Sequence, residues 1–162
     1  MTKDSRQHEY EVRVEWTGNR GNGTSGYKAY SRDHAISAGT KRPIEASADP
    51  AFLGDPARWN PEDLLVASVS ACHKLWYLHL CVMAGVTVTA YVDEALGRMT
   101  EEASGGGRFT GIELRPIVTI ARGGEETVAT AIHGDARRMC FIANSLNFPI
   151  TCRPQTRVLD SE

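Results

Sequence analysis

Apolar and polar positions alternate with two different periods along the chain, and the change of period marks its elements. Tyr10, Val12, Val14 and Trp16 alternate with Glu9, Glu11, Arg13 and Glu15, the period of a half-buried strand. Gly18 to Gly23 is a turn-rich segment with a single arginine, Arg20. Tyr27 to Ala38 returns as a second strand, with His34 and Ile36 on one face. Lys41 to Arg58 is rich in Pro, Ala, Asp and Gly, and is expected to be a loop with one helical turn at Pro50–Leu53.

The period then changes. From Pro61 to Ala84 the apolar residues Leu64, Leu65, Val66, Val69, Leu75, Trp76, Leu78, Leu80, Val82 and Met83 lie nearly all round a helix, which predicts burial on most sides. About 24 residues give a rod of roughly 36 Å. Asn60 is the expected N-cap, Pro61 fits the first helical position, and Glu62 and Asp63 suit the positive end of the dipole. Gly85 can close the far end. Ser68, Ser70, His73, Lys74 and His79 interrupt the rod, so it holds no run of 18 apolar residues and is not expected to span a membrane.

Beyond Gly85 a strand puts Val86, Val88, Ala90 and Val92 on one face and runs to about Met99. After the flexible Ser104–Gly107 connector, Arg108 to Ala121 is its hairpin mate, with Pro116 predicting an edge or a bulge. Glu125 and Glu126 open a second helix to about Cys140, with Val128, Ile132, Ala136, Met139 and Cys140 on one face. Asn144 to Asn147 turns the chain, and Ile150 to about Arg153 is a short last strand. Strands in antiparallel pairs, set apart from the helices, predict an α+β fold. No repeat or linker appears, so residues 1–162 are expected to form a single domain.

A formal net charge of −2 gives no reason to expect nucleic acid or an anionic membrane as partner. The polar N-terminus, MTKDSRQHEYEVR, has no secretory pattern, so a cytoplasmic location is the expectation. Four cysteines occur, Cys72, Cys81, Cys140 and Cys152, with no CxxC pair. Each is either a small buried hydrophobe or a reactive thiol. No cofactor and no resident metal is expected.

The run Asn60-Pro61-Glu62-Asp63-Leu64-Leu65 followed by Ser70-Ala71-Cys72-His73 resembles the central helix of the OsmC/Ohr superfamily, the osmotically induced and organic hydroperoxide resistance proteins. The segment His133…Ala136…Cys140-Phe141-Ile142-Ala143-Asn144-Ser145-Leu146 resembles its second cysteine motif. The two motifs stand in order, 68 residues apart from Cys72 to Cys140, and the resemblance runs from Val12 to about Thr151. It implies antiparallel strands around a long buried central helix, in an intertwined homodimer. It also implies a thiol-dependent peroxidase for alkyl or lipid hydroperoxides. By resemblance Cys72 is the peroxidatic cysteine, Cys140 the resolving one, Glu62 the carboxylate ten residues before Cys72, and Arg20 the loop arginine, with Arg58 in reserve. An unidentified dithiol would be the reductant.

The chemistry agrees with that assignment. A thiolate, not a thiol, cleaves the O–O bond; a free thiol near pKa 8.5 is mostly protonated at neutral pH, and apolar surroundings keep it so. A positive neighbour is therefore required, and an arginine can bridge a thiolate and a carboxylate. Attack leaves a sulfenic acid, which a second thiol condenses to a disulfide. Leu65, Val69, Leu75, Trp76 and Phe141 would line the site with apolar surface. Cys81 and Cys152 are expected to be structural. Two alternatives stand beside this reading: a non-catalytic dimer of the same fold, and a metal- or ligand-binding module drawing on Cys72, His73, His79, His133 and Cys140, whose spacings match no standard zinc pattern.

Overall fold

A computed structural model of the protein describes residues 6–159. By backbone contacts the chain divides into two compact units, Met1–Leu64 and Leu65–Glu162.

The first unit carries an antiparallel sheet of order β1-β2-β3, with β1 at Arg13–Trp16, β2 at His34–Ser37 and β3 at Ile44–Ala46. Strand β3 falls inside the segment expected to be loop, and β2 is shorter than the Tyr27–Ala38 stretch. Both differences have a local cause. The Tyr27–Arg32 segment is tied down by side chains: Arg32 donates to the Tyr27 and Tyr30 carbonyls and lies over both rings. The β3 backbone is paired further by Ala46 with Trp59, where Ser47 N–H donates to the Trp59 carbonyl at 2.8 Å. The expected helical turn is present as a 3₁₀ turn at Pro50–Phe52, capped by Asp49 Oδ1 accepting from Ala51 N–H.

Strand β1 departs from its expected half-burial. All four of its residues are exposed, Val14 by 63%. The alternation is real, with its apolar residues Val14 and Trp16 exposed among the described residues.

Two glycines of this unit are needed for close approach. A Cβ on Gly54 would come 1.6 Å from the Ala48 carbonyl oxygen, and one on Gly18 would come 1.9 Å from that of Ser31. Gly54→Val is therefore expected to destabilise the unit by about 3 kcal/mol or more through forced backbone movement, measured as a lower urea midpoint.

Helix α1, Pro61–Met83, begins and ends as its sequence dictates. Asn60 Oδ1 accepts from Asp63 N–H at 2.8 Å. At the other end Gly85 adopts φ 71°, and Val86 N–H reaches back to the Cys81 carbonyl. It is long and apolar enough to cross a membrane by length and composition, with mean hydropathy 1.2. Among the described residues its burial is one-sided. Only Val69, His73, Tyr77 and Cys81 are buried, one stripe at a spacing of four, while Leu75, Val82 and Met83 are exposed. The sheets of the second unit cover that stripe.

Those sheets have orders β4-β7-β9 and β5-β6-β8. The long expected hairpin exists but is divided between them: β4 (Val88–Asp93) pairs with β7 (Pro116–Ile120), and β5 (Leu96–Glu101) with β6 (Gly107–Leu114). Pro116 opens β7, a central strand rather than an edge, because as its first residue it owes the ladder no N–H. A bulge between Val88 and Ala90 also turns β4 over, so Tyr91 and Asp93 face inward and Val92 faces out, the reverse of the simple alternation. Helix α2 (Glu126–Met139) buries Ala129, Ile132, His133 and Ala136; Val128 and Met139 lie outside, a rotation of about one residue from the expected face. A short helix α3 (Phe141–Asn144) follows. Strands β8 (Ile150–Cys152) and β9 (Gln155–Val158) add in parallel to β6 and β7, so the final segment closes both sheets rather than forming one short strand.

The core has two parts. Tyr77, Cys81, Val86, Val118, Ile120, Ala129, Ile132 and Ala136 form one, and Val69, Ile112, Leu114 and Ile150 the other. The Tyr91 hydroxyl is buried without a hydrogen-bond partner among the described residues. Tyr91→Phe removes an unpaired polar group at constant shape and is expected to raise stability by about 1 kcal/mol, read from denaturant unfolding.

Candidate functional site

Cys72 lies one position from the buried stripe of α1 and is half-buried. Residues at helical spacing from it, Leu75, Trp76 and His79, share its side of the rod. With Phe141 these four line an apolar cavity of about 360 Å³. Phe141 packs edge-on against Trp76 with ring centroids 5.5 Å apart, and His79 meets the same indole at 5.9 Å. Cys72 is the group in this cavity able to act as a nucleophile through sulfur.

Cys140 joins the site from the far end of the sequence. It sits in the break between α2 and α3, with extended backbone, and is completely buried. Its sulfur caps α3 by accepting from Ala143 N–H at 3.4 Å. Burial pushes the Cys140 thiol up to about 11, and the neighbouring Cys72 sulfur pushes the same way, against the Ala143 and Ile142 N–H groups. The two sulfurs assigned from the sequence are thus close enough to interact, one lining a cavity and the other buried.

The other two assigned residues belong to the first unit. Half-buried Glu62 lines a cavity of about 330 Å³ with Trp16, Tyr30, Arg32, His34 and Asp49. The guanidinium lining that cavity is that of Arg32. Exposed Arg20 lies in the Gly18–Gly23 loop, where Asn19 Oδ1 accepts from Gly21 and Gly23 N–H, and it helps lower the Asp33 carboxyl, whose main support is its hydrogen bond with Ser31. Arg58 is committed to Asp33 and Asp55 at 3.9 and 3.5 Å.

A second constellation lies in the second unit. His73 Nε2 and His133 Nδ1 are 3.0 Å apart, and Cys152 Sγ stands 3.8 and 3.9 Å from them. Both imidazoles are buried, and burial lowers both pKa values, His133 to about 3, with His73 opposing its protonation further. Both are therefore neutral at physiological pH. Burial also pushes the Cys152 thiol up to about 12, with Asp93 adding to it and Arg137 opposing. The Tyr77 ring stacks on His133 at 3.9 Å and 13°. The sequence reading placed His73 and His133 among possible ligands but assigned Cys152 a structural role. The available signal was the spacing: His73 is on the Val69–Cys81 stripe, and His133 is at i+4 from buried Ala129.

The profile of the family described as OsmC-like protein matches residues 54–154. A search of curated proteins found no match. Among solved structures, an OsmC-like protein of unknown function from Vibrio cholerae is similar over 92% of this chain and 100% of its own, at 28% identity and a TM-score of 0.82. An organic hydroperoxide resistance protein from Elizabethkingia anophelis shares the fold over 95% of this chain and 100% of its own, at 16% identity and a TM-score of 0.66. The corresponding protein OhrB of Bacillus subtilis does so over 93% and 98%, at 14% identity and a TM-score of 0.60. A mixed α+β chain of this architecture, matched through both cysteine-bearing segments, belongs to the OsmC-like family.

Proposed function

We propose that the protein is a cysteine-based peroxidase that reduces organic hydroperoxides with Cys72 and Cys140. The observation that carries this reading is their arrangement: a half-buried sulfur lining an apolar cavity, with a fully buried sulfur close enough to interact with it. Organic hydroperoxide resistance proteins of the same fold are consistent with it.

In the first step the Cys72 thiolate attacks the terminal peroxide oxygen. The O–O bond breaks, the alkoxide takes a proton and leaves as the alcohol, and Cys72 is oxidised to a sulfenic acid. In the second, the Cys140 sulfur attacks the Cys72 sulfur. Cys140 gives up its proton, the hydroxyl leaves as water, and a disulfide forms. A dithiol reductant then returns both cysteines to thiols by exchange. The apolar wall of Leu75, Trp76 and Phe141 favours an alkyl or lipid chain over hydrogen peroxide. Arg20 and Glu62 are proposed as further catalytic residues, so Arg20→Met and Glu62→Gln are each expected to slow oxidation.

The proposed chain is a single domain acting as a homodimer in the reducing cytoplasm. What supports association is the apolar surface left open by one chain, including Val12, Val14, Leu75, Val82 and Met83. Sedimentation equilibrium is expected to give twice the 17.7 kDa chain mass.

Two measurements test the mechanism. Cys140→Ser is expected to retain the first oxidation of Cys72 but lose turnover, seen as a stoichiometric burst of alcohol with no steady state. Because burial holds Cys140 protonated up to about 11, disulfide formation is expected to accelerate with pH through the alkaline range, by up to about tenfold per unit. Peroxide oxidation followed by stopped-flow fluorescence of Trp76 separates the two steps.

A further inference from the structure

We infer that His73, His133 and Cys152 form a binding site for a zinc-class divalent transition-metal ion, separate from the Cys72–Cys140 pair and not required by the peroxidase reading. The three donor atoms come from α1, α2 and β8, elements distant in sequence that converge on one point in the second unit.

The donor triangle has the right size. A tetrahedral ion with bonds of about 2.05 Å to nitrogen and about 2.3 Å to sulfur sets its donors about 3.3 Å apart for two nitrogens and about 3.6 Å apart for nitrogen and sulfur. The observed separations are 3.0 Å between the nitrogens and 3.8 and 3.9 Å from sulfur to each. Adjustments of about 0.3 Å, well within side-chain freedom, bring all three to bonding distance.

The donor chemistry is also right. Neutral imidazole and thiolate are the ligands that zinc and its neighbours prefer over oxygen-loving cations. Both rings are buried and favour the neutral form that coordinates a metal, with one of the two facing nitrogens carrying the hydrogen they share. As the ion enters, the Cys152 thiol releases its proton to solvent, and the proton bridging the two rings moves to the other nitrogen of the ring that carried it. The positive ion then compensates the thiolate charge. Arg137 and Asp93 act on the same sulfur from opposite directions.

A purely structural account of the cluster is less economical. The two imidazoles give each other one hydrogen bond, yet among the described residues His133 Nε2 is buried with no partner, as is the nearby Tyr91 hydroxyl. An apolar side chain would fill the space without that cost. Three protein ligands leave a fourth position, and an open cavity of about 450 Å³ lined by His133, Cys152, Thr130 and Arg137 gives the ion and a water or small anion a path to it. That is the ligand count of an accessible site rather than a closed structural one.

Cobalt(II) is the probe, because it takes the same geometry and reports thiolate ligation by its sulfur-to-metal charge-transfer band. Titration of reduced protein is expected to give one cobalt per chain, with that band and intense tetrahedral d–d bands, and zinc is expected to displace it. Cys72→Ser/Cys140→Ser is expected to bind as the parent does. Cys152→Ser is expected to lose the charge-transfer band, and His133→Gln to bind at least tenfold more weakly. Retained far-ultraviolet dichroism shows that each variant is folded; should either fail to fold, the parent and the Cys72→Ser/Cys140→Ser chain decide alone. Absence of the band in the parent, or its loss in Cys72→Ser/Cys140→Ser, overturns the inference. Peroxidase activity is not among these readouts, so a failed metal site and a failed peroxidase mechanism give different results.

Discussion

Replacing Cys72 by serine is expected to abolish reduction of organic hydroperoxides, with at least about a 10³-fold loss of turnover. A hydroxyl keeps the size and hydrogen bonding of the thiol, so the fold should be unaffected. It is, however, far too weak an acid to supply the anion that attacks the peroxide oxygen, and removing a nucleophile removes the whole chemical step. The position is permissive, because Cys72 is half-buried beside the Leu75–Trp76–Phe141 wall and outside both core clusters. Initial rates with cumene hydroperoxide and a dithiol measure the effect, and an unchanged unfolding midpoint confirms that chemistry alone was lost.

The largest effect on stability is expected from Tyr77→Ala. Tyr77 is completely buried on α1, lies face to face with His133 at 3.9 Å and meets Tyr91 at 5.8 Å. Truncation of a buried aromatic ring costs about 3–5 kcal/mol from lost transfer energy and the cavity left behind. Against a typical total of about 5–15 kcal/mol, that is a large share. The ring also joins the α1 stripe to α2 through His133, so its loss loosens the contact that orients both histidines. Tyr77→Phe keeps the stacking and removes a buried hydroxyl with no hydrogen-bond partner among the described residues, so it is expected to be neutral or slightly stabilising. Urea unfolding of the two variants beside the parent measures the difference.

The sequence carried the elements whose signals are local. The α1 boundaries follow from the Asn60 cap, Pro61 and Gly85, and all three behave as their chemistry requires. The pairing of the two cysteine motifs was equally legible, and the fold brings Cys72 and Cys140, 68 positions apart, close enough to interact. What escaped was set by tertiary context. The β4 bulge, which no residue type announces, exchanges the faces of Tyr91 and Val92. The Ala46–Trp59 bridge makes a strand of a segment with little intrinsic strand character. Strand β9 depends on parallel pairing with β7, a partner far back in the chain. The one-sided burial of α1 could not be read from its composition, since an apolar surface has the same sequence whether its own chain or another covers it.

The second constellation was illegible for a related reason. His73, His133 and Cys152 have no metal-motif spacing, because their convergence depends on where β8 docks beside β6. Cys152 is brought in only by that parallel strand. Only the fold shows that a helix stripe and a strand end point their donors at the same place.

The central claim is that Cys72 is oxidised by the peroxide and then captured by Cys140. Its most direct test is peptide mass spectrometry of protein treated with one equivalent of cumene hydroperoxide and quenched by thiol alkylation. The account predicts one cross-linked species that joins the Cys72 and Cys140 peptides, with Cys81 and Cys152 alkylated. Recovery of Cys72 and Cys140 both alkylated, or of a disulfide that leaves out either of them, would contradict it.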